Sequence, residues 1–530
     1  MNHLVIAPIL LPLIAGILLL PLRHADITLR RTFSVAAVLG QIGLAVALFQ
    51  AVSGGDILTY ALGDWPAPYG IVLVADRLAV WMLLVTALLA LFPLLYACRG
   101  GDISGRHFHL LFQLQLMGLN GAFLTGDLFN LFVFFEVLLL ASYGLILHGG
   151  GRQKTRAGLH YVVLNLAGSS LFLIAVGTLY GLFGTLNMAH LAQKIAAVSP
   201  ENLGPARAAG LLLFAVFALK AALLPLYLWL PAAYAQTSAP VAALFAIMTK
   251  VGAYSILRMS TLIFGAQAGG MVDPYASLPP GGSPYLPWDA PAAGMNPLIE
   301  PWLLPLALAT LLIGLIGALA ARYLREQAAY LVVASVGTLL TAFALGSVAG
   351  IAAGIYYLPH SVFAAAALFL LADQIGQSRG ELGDRFEPGP AMSGAPVLSG
   401  LFFVIAILLA GLPPLSGFIG KFLLLRAALE HPAWPWIMAI VLSGGLFGLI
   451  ALARSGSLLF MHIRPMEEGV RLPAVLHWQQ LQALLPILGL LALTLALTVA
   501  AGPLYDFASA AAEQLLQPHH YVHAVLGARP

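Results

Sequence analysis

Long apolar runs follow one another along almost the whole chain, separated by short polar connections. A helix needs about 20 apolar residues to cross a bilayer. By that measure the pattern predicts about fourteen spans, at roughly 4–22, 32–51, 71–97, 108–125, 128–148, 158–183, 208–230, 239–264, 301–321, 327–346, 349–372, 397–429, 434–461 and 480–501. The first run has no basic segment ahead of it and no small-residue cleavage site behind it, so it reads as a retained helix. The twelfth run is too long for one straight helix. It contains Gly411-Leu-Pro-Pro-Leu-Ser-Gly417, which predicts two half-helices around a break at Pro413 and Pro414. Pro225 predicts a second break inside the seventh run. The fold class expected is an all-α polytopic membrane protein with broken helices.

Composition agrees. Of 530 residues, 61% are hydrophobic and 8% charged, against ~25% charged in soluble domains. A net charge of +3 gives no footprint for nucleic acid. The single cysteine, Cys98, forms no internal disulfide, and no Cys/His spacing predicts a resident metal. Charge placement adds an orientation. One side collects Arg23, Arg30, Arg31, Arg99, Arg106, Arg152, Lys154 and Arg156, and later Arg322, Arg325, Arg379, Arg385, Arg464 and Arg471. The other side holds only Lys194, Arg207, Arg258, Arg426 and Arg529. The positive-inside rule then makes the first side cytoplasmic and puts both termini outside. Residues 265–300, rich in Pro, Gly and Tyr, read as an external covering loop, and 373–396 as a cytoplasmic linker. The segment after the last span reads as a short tail.

Chemistry is expected where charge lies at membrane depth, because each such group costs roughly 2.5–3.5 kcal/mol or more to place there. Glu136 lies deep in the fifth span, in Asp127-Leu-Phe-Asn-Leu-Phe-Val-Phe-Phe-Glu136. It reads as a reversible proton site, against the alternative of a structural ion pair. Asp127, nearer the external end, reads equally as a helix cap or a proton-uptake group. Lys220, Lys250 and Lys421 are intramembrane lysines, and an ammonium can give up its proton where a guanidinium cannot. Snorkelling to an interface is the competing account, for Lys250 above all. Lys220 lies just before Pro225, whose break is expected to admit water to it. Lys421 follows the Pro-Pro break. His360 reads as a relay or as a hydrogen-bonded core histidine in equal measure. His160 reads as structural, and Asp76 with Arg77 as an interfacial pair. His148-Gly-Gly-Gly151 looks like an oxyanion-hole string but has no nucleophile elbow to serve, so it reads as a helix stop. No cofactor motif stands in a strand-to-helix context. Each half holds a Pro-broken helix with a lysine, which suggests two five-span blocks of opposite topology, although the lysine precedes its proline in one and follows it in the other.

Three strings carry a family resemblance: Ala218-Leu-Lys-Ala-Ala-Leu-Leu-Pro-Leu-Tyr-Leu-Trp-Leu-Pro231, Ala246-Ile-Met-Thr-Lys-Val-Gly-Ala-Tyr254 and Gly411-Leu-Pro-Pro-Leu-Ser-Gly-Phe-Ile-Gly-Lys421. They resemble the antiporter-like subunits of respiratory complex I. Three more strings resemble, in finer detail, the D-subunit family of Mrp-type multisubunit monovalent cation/proton antiporters. These are Trp65-Pro-Ala-Pro-Tyr-Gly-Ile-Val-Leu-Val-Ala-Asp-Arg-Leu78, the Asp127–Glu136 string, and Ala451-Leu-Ala-Arg-Ser-Gly-Ser457. The resemblance runs from about the third span to the thirteenth. It implies fourteen helices with two inverted five-helix repeats, at 108–264 and 301–461, flanked by N-terminal helices at 1–107 and a last helix with its tail at 462–530. It implies partner membrane subunits in a bacterial inner membrane, protons and Na⁺ or K⁺ as the ions moved, and no cofactor. It also implies that Glu136 and Lys220 form the acid–lysine pair of one half-channel, with Lys250 as the connecting relay and Lys421 as the terminal residue of the other. Tyr227, Tyr234 and Gln236 stand where the complex I relatives commonly have histidines and an acid, and Arg325 or Ala365 where they have a lysine. The central relay therefore looks sparser here, with water or His360 expected to bridge it. The short tail also departs from the branch that ends in a long lateral helix. A proton-pumping subunit of a redox enzyme is the alternative reading, and a non-transporting scaffold a third.

Overall fold

The computed structural model describes residues 3–24, 26–105, 107–265, 298–389, 392–462 and 478–527. In chain order the elements are α1 (Ala7–Leu19), α2 (Ile27–Val52), β1 (Leu58–Ala61), β2 (Val72–Ala75), α3 (Arg77–Ala97), α4 (Phe108–Leu124), α5 (Leu128–Ile146) and α6 (Arg152–Phe183). There follow α7 (Met188–Ala196), α8 (Pro200–Ala221), α9 (Trp229–Gln236), α10 (Ala239–Phe245), α11 (Met248–Arg258), α12 (Glu300–Ala320), α13 (Leu324–Ala344) and α14 (Val348–Ser378). The chain ends with α15 (Ala395–Ala410), α16 (Ser416–Ala428), α17 (Trp434–Phe460), α18 (Trp478–Val499), α19 (Ala501–Leu516) and α20 (Pro518–Leu526). Among the described residues, eleven helical stretches are long and apolar enough to cross a membrane, and α1, α4 and α15 are shorter apolar helices. Together they stand at the positions of the predicted spans. The chain is an all-α, multi-pass membrane protein.

Three stretches form the centre of the bundle. The most apolar part of 239–263 (α10, α11 and the π-helical turn Met259–Ile263 that follows) is buried throughout, as is that of α14, and α13 is nearly so. α14 packs against α10, α13, α15, α16, α18 and α19. By contrast α6 turns Leu159, Val163, Leu166 and Ile174 outward, as a lipid-facing or subunit-facing helix does. Polar side chains on the enclosed helices meet protein rather than acyl chains, the arrangement under which a membrane tolerates them.

Two helices break where proline predicts it. α8 ends at Ala221, and the chain resumes helix only at Trp229. Ala222 takes a left-handed conformation (φ 61°, ψ 42°), and Leu223 N–H returns to the Ala218 carbonyl at 2.9 Å. The backbone groups released by the break are met by side chains. Trp229 Nε1 donates to the Leu219 carbonyl at 3.0 Å, and Leu224 N–H donates to Thr310 Oγ1 at 2.9 Å. Such re-satisfaction is what lets irregular backbone exist at membrane depth. In the second break α15 ends at Gly411, which carries the left-handed turn (φ 77°) with no Cβ to strain it. α16 then restarts at Ser416.

Several boundaries move. Residues 72–75, expected inside the third span, form β2, which pairs antiparallel with β1 in the register Leu58↔Ala75 to Ala61↔Val72. A run of alternating β-branched and leucine residues satisfies strand and helix alike, and Asp76 settles the start of α3 by accepting from Ala79 N–H at 2.9 Å. α14 continues to Ser378, shortening the expected linker at 373–396. The tail is not extended but forms α19 and α20, packed on α14 and α7 respectively. The expected loop at 265–300 lies for the most part outside the described residues.

The sidedness seen in the sequence has a structural counterpart in bonds that tie the arginine-rich connections to one another. Arg31 grips Asp102 with two bonds of 2.7 Å, and His109 adds a third contact at 3.1 Å. Burial pushes the Asp102 carboxyl up, but Arg31 and His109 outweigh it and hold the group well below the usual carboxylate range. His148 Nε2 contacts the Gly101 carbonyl at 3.0 Å.

Both breaks disfavour a Cβ at the left-handed residue, so removing one and adding one should have opposite effects. Ala222→Gly should stabilise the protein by about 1 kcal/mol by removing a left-handed alanine. Gly411→Ala should destabilise it, because its Cβ would stand 2.8 Å from Lys421 Cδ. Reversible denaturation in SDS measures both, and equal effects of the two changes would contradict this account.

Candidate functional site

Glu136, half-buried on α5, accepts a short hydrogen bond from Ser169 Oγ on α6. Lys220, on the last turn of α8, is buried with its ammonium against the same α6 face. Its Nζ donates to Asn165 Oδ1 and to the Asn165 carbonyl at 3.2 Å each, and lies 3.4 Å from Ser169 Oγ. The structure therefore brings the expected acid and lysine together, with the Ser169 hydroxyl between them. No described ion pair joins them directly. Asn165 and Ser169 are four residues apart, hence on one helix face. Gly168, between them, lets α8 close on α6, since a Cβ there would lie 2.5 Å from Leu219 Cδ2.

α11 lies directly against α8. A Cβ on Gly252 would stand 2.4 Å from the Ala221 backbone nitrogen, so only glycine permits this approach. Two residues before it, Lys250 is fully buried and directs Nζ to Ser335 Oγ on α13, at 2.8 Å. This excludes snorkelling for Lys250. Ser335 in turn lines a cavity of about 30 Å³ together with Thr338, Tyr357, Ser361 and Lys421. A cavity needs roughly 10–15 Å³ to hold one water, so this space accommodates about two. Lys421 Nζ donates to the Ala410 carbonyl at 2.9 Å and lies 3.5 Å from that of Leu409. Those two carbonyls belong to the end of α15, released by the Pro413–Pro414 break. The arrangement can pass a proton: two hydroxyls, each able to accept and donate, stand beside three lysines and a carboxylate, with room for water between the last two lysines.

The remaining candidates fall elsewhere. Asp127 caps α5, its Oδ1 accepting from Asn130 N–H at 2.8 Å. His360 is buried behind the cavity, with Nδ1 3.0 Å from Ser416 Oγ at the start of α16. His160 is exposed on α6. Asp76 does not pair with Arg77, because α3 points the two side chains apart. Arg258, from the end of α11, takes Asp76 with bonds of 2.6 and 2.8 Å inside the protein, while Arg77 reaches the carbonyls of Ala510 and Ser53. In the sequence Arg258 counts only as a cation toward the external end of the span at 239–264. Its partner lies 182 positions away and nothing local reveals it. Ser169, Asn165 and Ser335 were likewise missed. The available signal was a hydroxyl or amide inside an apolar run, which only the fold ties to a lysine.

Residues 125–275 and 289–448 match the model of the family described as NADH:quinone oxidoreductase/Mrp antiporter, transmembrane region. The chain is 39% identical to the D subunit of a probable K⁺/H⁺ antiporter of Rhizobium meliloti, over 100% of this chain and 98% of that one. It is 36% identical to the D subunit of the Na⁺/H⁺ antiporter of Alkalihalophilus pseudofirmus, over 99% and 100%. Among solved structures, a chain of the Mrp complex from Dietzia sp. superposes with a TM-score of 0.82 at 29% identity, covering 99% of this chain and 100% of that one.

The hydroxyl beside Lys250 gives a direct test of the geometry. Ser335→Ala should destabilise the protein by about 1.5–3 kcal/mol, the worth of a hydrogen bond to a charged group. Ser335→Thr, which keeps the hydroxyl, should stay within about 1 kcal/mol of the parent. Reversible unfolding of the purified protein measures both, and a Ser335→Ala variant as stable as the parent would show that the ammonium has another partner.

Proposed function

Because the chain belongs to the NADH:quinone oxidoreductase/Mrp antiporter family of membrane proteins, we propose that it is the D-type subunit of a multisubunit monovalent cation/proton antiporter and moves protons through its buried carboxylate and lysines. The observation that supports this most is the hydroxyl-joined sequence Glu136–Ser169–Lys220 and Lys250–Ser335–cavity–Lys421, of which Lys250 and Ser335 stand on the enclosed helices α11 and α13. A proton on Lys220 makes a cation beside the Glu136 carboxylate, and its departure leaves that carboxylate uncompensated. The change in charge is felt at Lys250 across the α8–α11 contact. Lys250 passes its proton by way of the Ser335 hydroxyl and cavity water to Lys421, which discharges beside the carbonyls of the second break. Lysine suits each station because an ammonium can be discharged, whereas a guanidinium stays protonated. His360 adjusts this last station through Ser416 at the head of α16.

The two halves, 108–264 and 301–461, act as inverted repeats, each supplying one broken helix. The arginine-rich end is cytoplasmic and both termini lie outside a bacterial inner membrane. The chain works beside other membrane subunits. Whole-length relatives named for K⁺/H⁺ and Na⁺/H⁺ exchange support either ion as the exchanged cation. They favour the antiporter over the redox-enzyme subunit that the same family description allows.

Everted vesicles carrying the assembled complex test the proposal. Glu136→Ala and Lys421→Ala should each cut cation-dependent proton flux by more than about tenfold, about 1.4 kcal/mol in barrier, with assembly retained. Flux preserved in both variants would refute the path, and iron–sulfur or flavin absorbance co-purifying with the chain would favour the redox reading.

A further inference from the structure

A second polar cavity, of about 470 Å³, lies away from the lysine path at the arginine-rich end of the bundle. It is walled by the C-terminal end of α3, the first turn of α6, the starts of α10 and α13, the end of α14 and Ala483 on α18. Three cations face it: Arg99, Lys154 and Arg325. One carboxylate, Asp373, faces it too, but both of its oxygens are occupied. Oδ1 accepts from Arg325 at 3.0 Å, and Oδ2 from Tyr96 Oη at 2.6 Å and Gln377 Nε2 at 2.7 Å. Lys154 spends one of its three protons on the His148 carbonyl at 3.1 Å, which leaves two donors.

We propose that this cavity binds a phosphate-bearing anion, held by Lys154 and Arg99. The net charge of the wall is positive, and the one acid in it is already paired. Arginine and lysine are the side chains that recognise phosphate, by fork and by point charge respectively. A phosphate at the membrane interface comes from a phospholipid headgroup or from soluble phosphate, and basic clefts between helices on a cytoplasmic face are suited to the former. The site stands apart from Glu136, Lys220, Lys250 and Lys421 and does not depend on their proposed role.

The test uses the assembled complex, delipidated in detergent and then offered phosphatidylglycerol, phosphatidylcholine or inorganic phosphate. Native mass spectrometry reads lipid retained on this chain, and thermal protection reads phosphate. Phosphatidylglycerol should be retained in preference to phosphatidylcholine; its retention should fall at least tenfold on the double variant R99Q/K154Q and return on the charge-keeping R99K/K154R. Protection by inorganic phosphate alone, lost in R99Q/K154Q, would support the site with a soluble ligand. Should R99Q/K154Q fail to assemble, the single variant Lys154→Gln carries the comparison, with affinity for the bound probe expected to fall about tenfold. Absence of binding by either phosphate probe to the parent complex, or binding unchanged in the variants, overturns the proposal.

Discussion

An ammonium group inside a bilayer must find its acceptors within the protein, since no water lies in the hydrocarbon to supply them. Three lysines impose that demand on this chain, and much of its irregular structure answers it. Lys220 is met by an amide and a carbonyl of Asn165 and approached by the Ser169 hydroxyl. Lys250 is met by the Ser335 hydroxyl. Lys421 is met by carbonyls that a straight helix would have kept for itself. Each solution is hydrogen-bonding without being a tight ion pair. A tight pair would fix the charge in place, since removing one partner of a buried pair costs about 3–5 kcal/mol. Neutral partners satisfy the ammonium and still allow its proton to leave.

The helix breaks follow from the same demand. In the second break the prolines end α15 and hand its last carbonyls to Lys421, while Gly411 provides the turn over which the lysine stem packs. In the first, the freed Leu219 carbonyl goes to Trp229 and Lys220 looks sideways to α6. The two breaks are thus alike in backbone and different in use. This is the physical content of the lysine preceding its proline in one half and following it in the other. Tight ion pairs are placed elsewhere, as fasteners near the span ends. Asp76–Arg258 ties α3 to α11, and Arg31–Asp102 ties the first connections together.

Most of the fold was legible because a bilayer demands long apolar runs, and the runs survive in the sequence with little ambiguity. The exceptions have specific causes. The strand at Val72–Ala75 is apolar enough to pass for the head of a helix, and its partner Leu58–Ala61 lies across a turn whose pairing no periodicity reports. The tail helices α19 and α20 are too short and mixed to read as spans, yet they fold because α14 and α7 offer them a surface. At the candidate site the charged groups announced themselves, since Glu136 and the lysines are rare at such depth. Their uncharged partners did not. A serine in an apolar helix is an ordinary residue until the fold sets Ser169 beside Lys220 and Ser335 beside Lys250. The joints of the proposed path are therefore what the structure adds to the sequence.

Whether those joints belong to one path is best decided by a double-mutant cycle on proton flux, using Ser169→Ala and Ser335→Ala in the reconstituted complex. Steps in series limit one another. If each single variant slows flux about tenfold, the double variant should be slower than either by only about twofold, because reciprocal rates add along one route. If instead at least one single variant kept half or more of the flux and only the double variant lost it, the two hydroxyls would serve parallel routes. That result would contradict a single proton path running from Glu136 to Lys421.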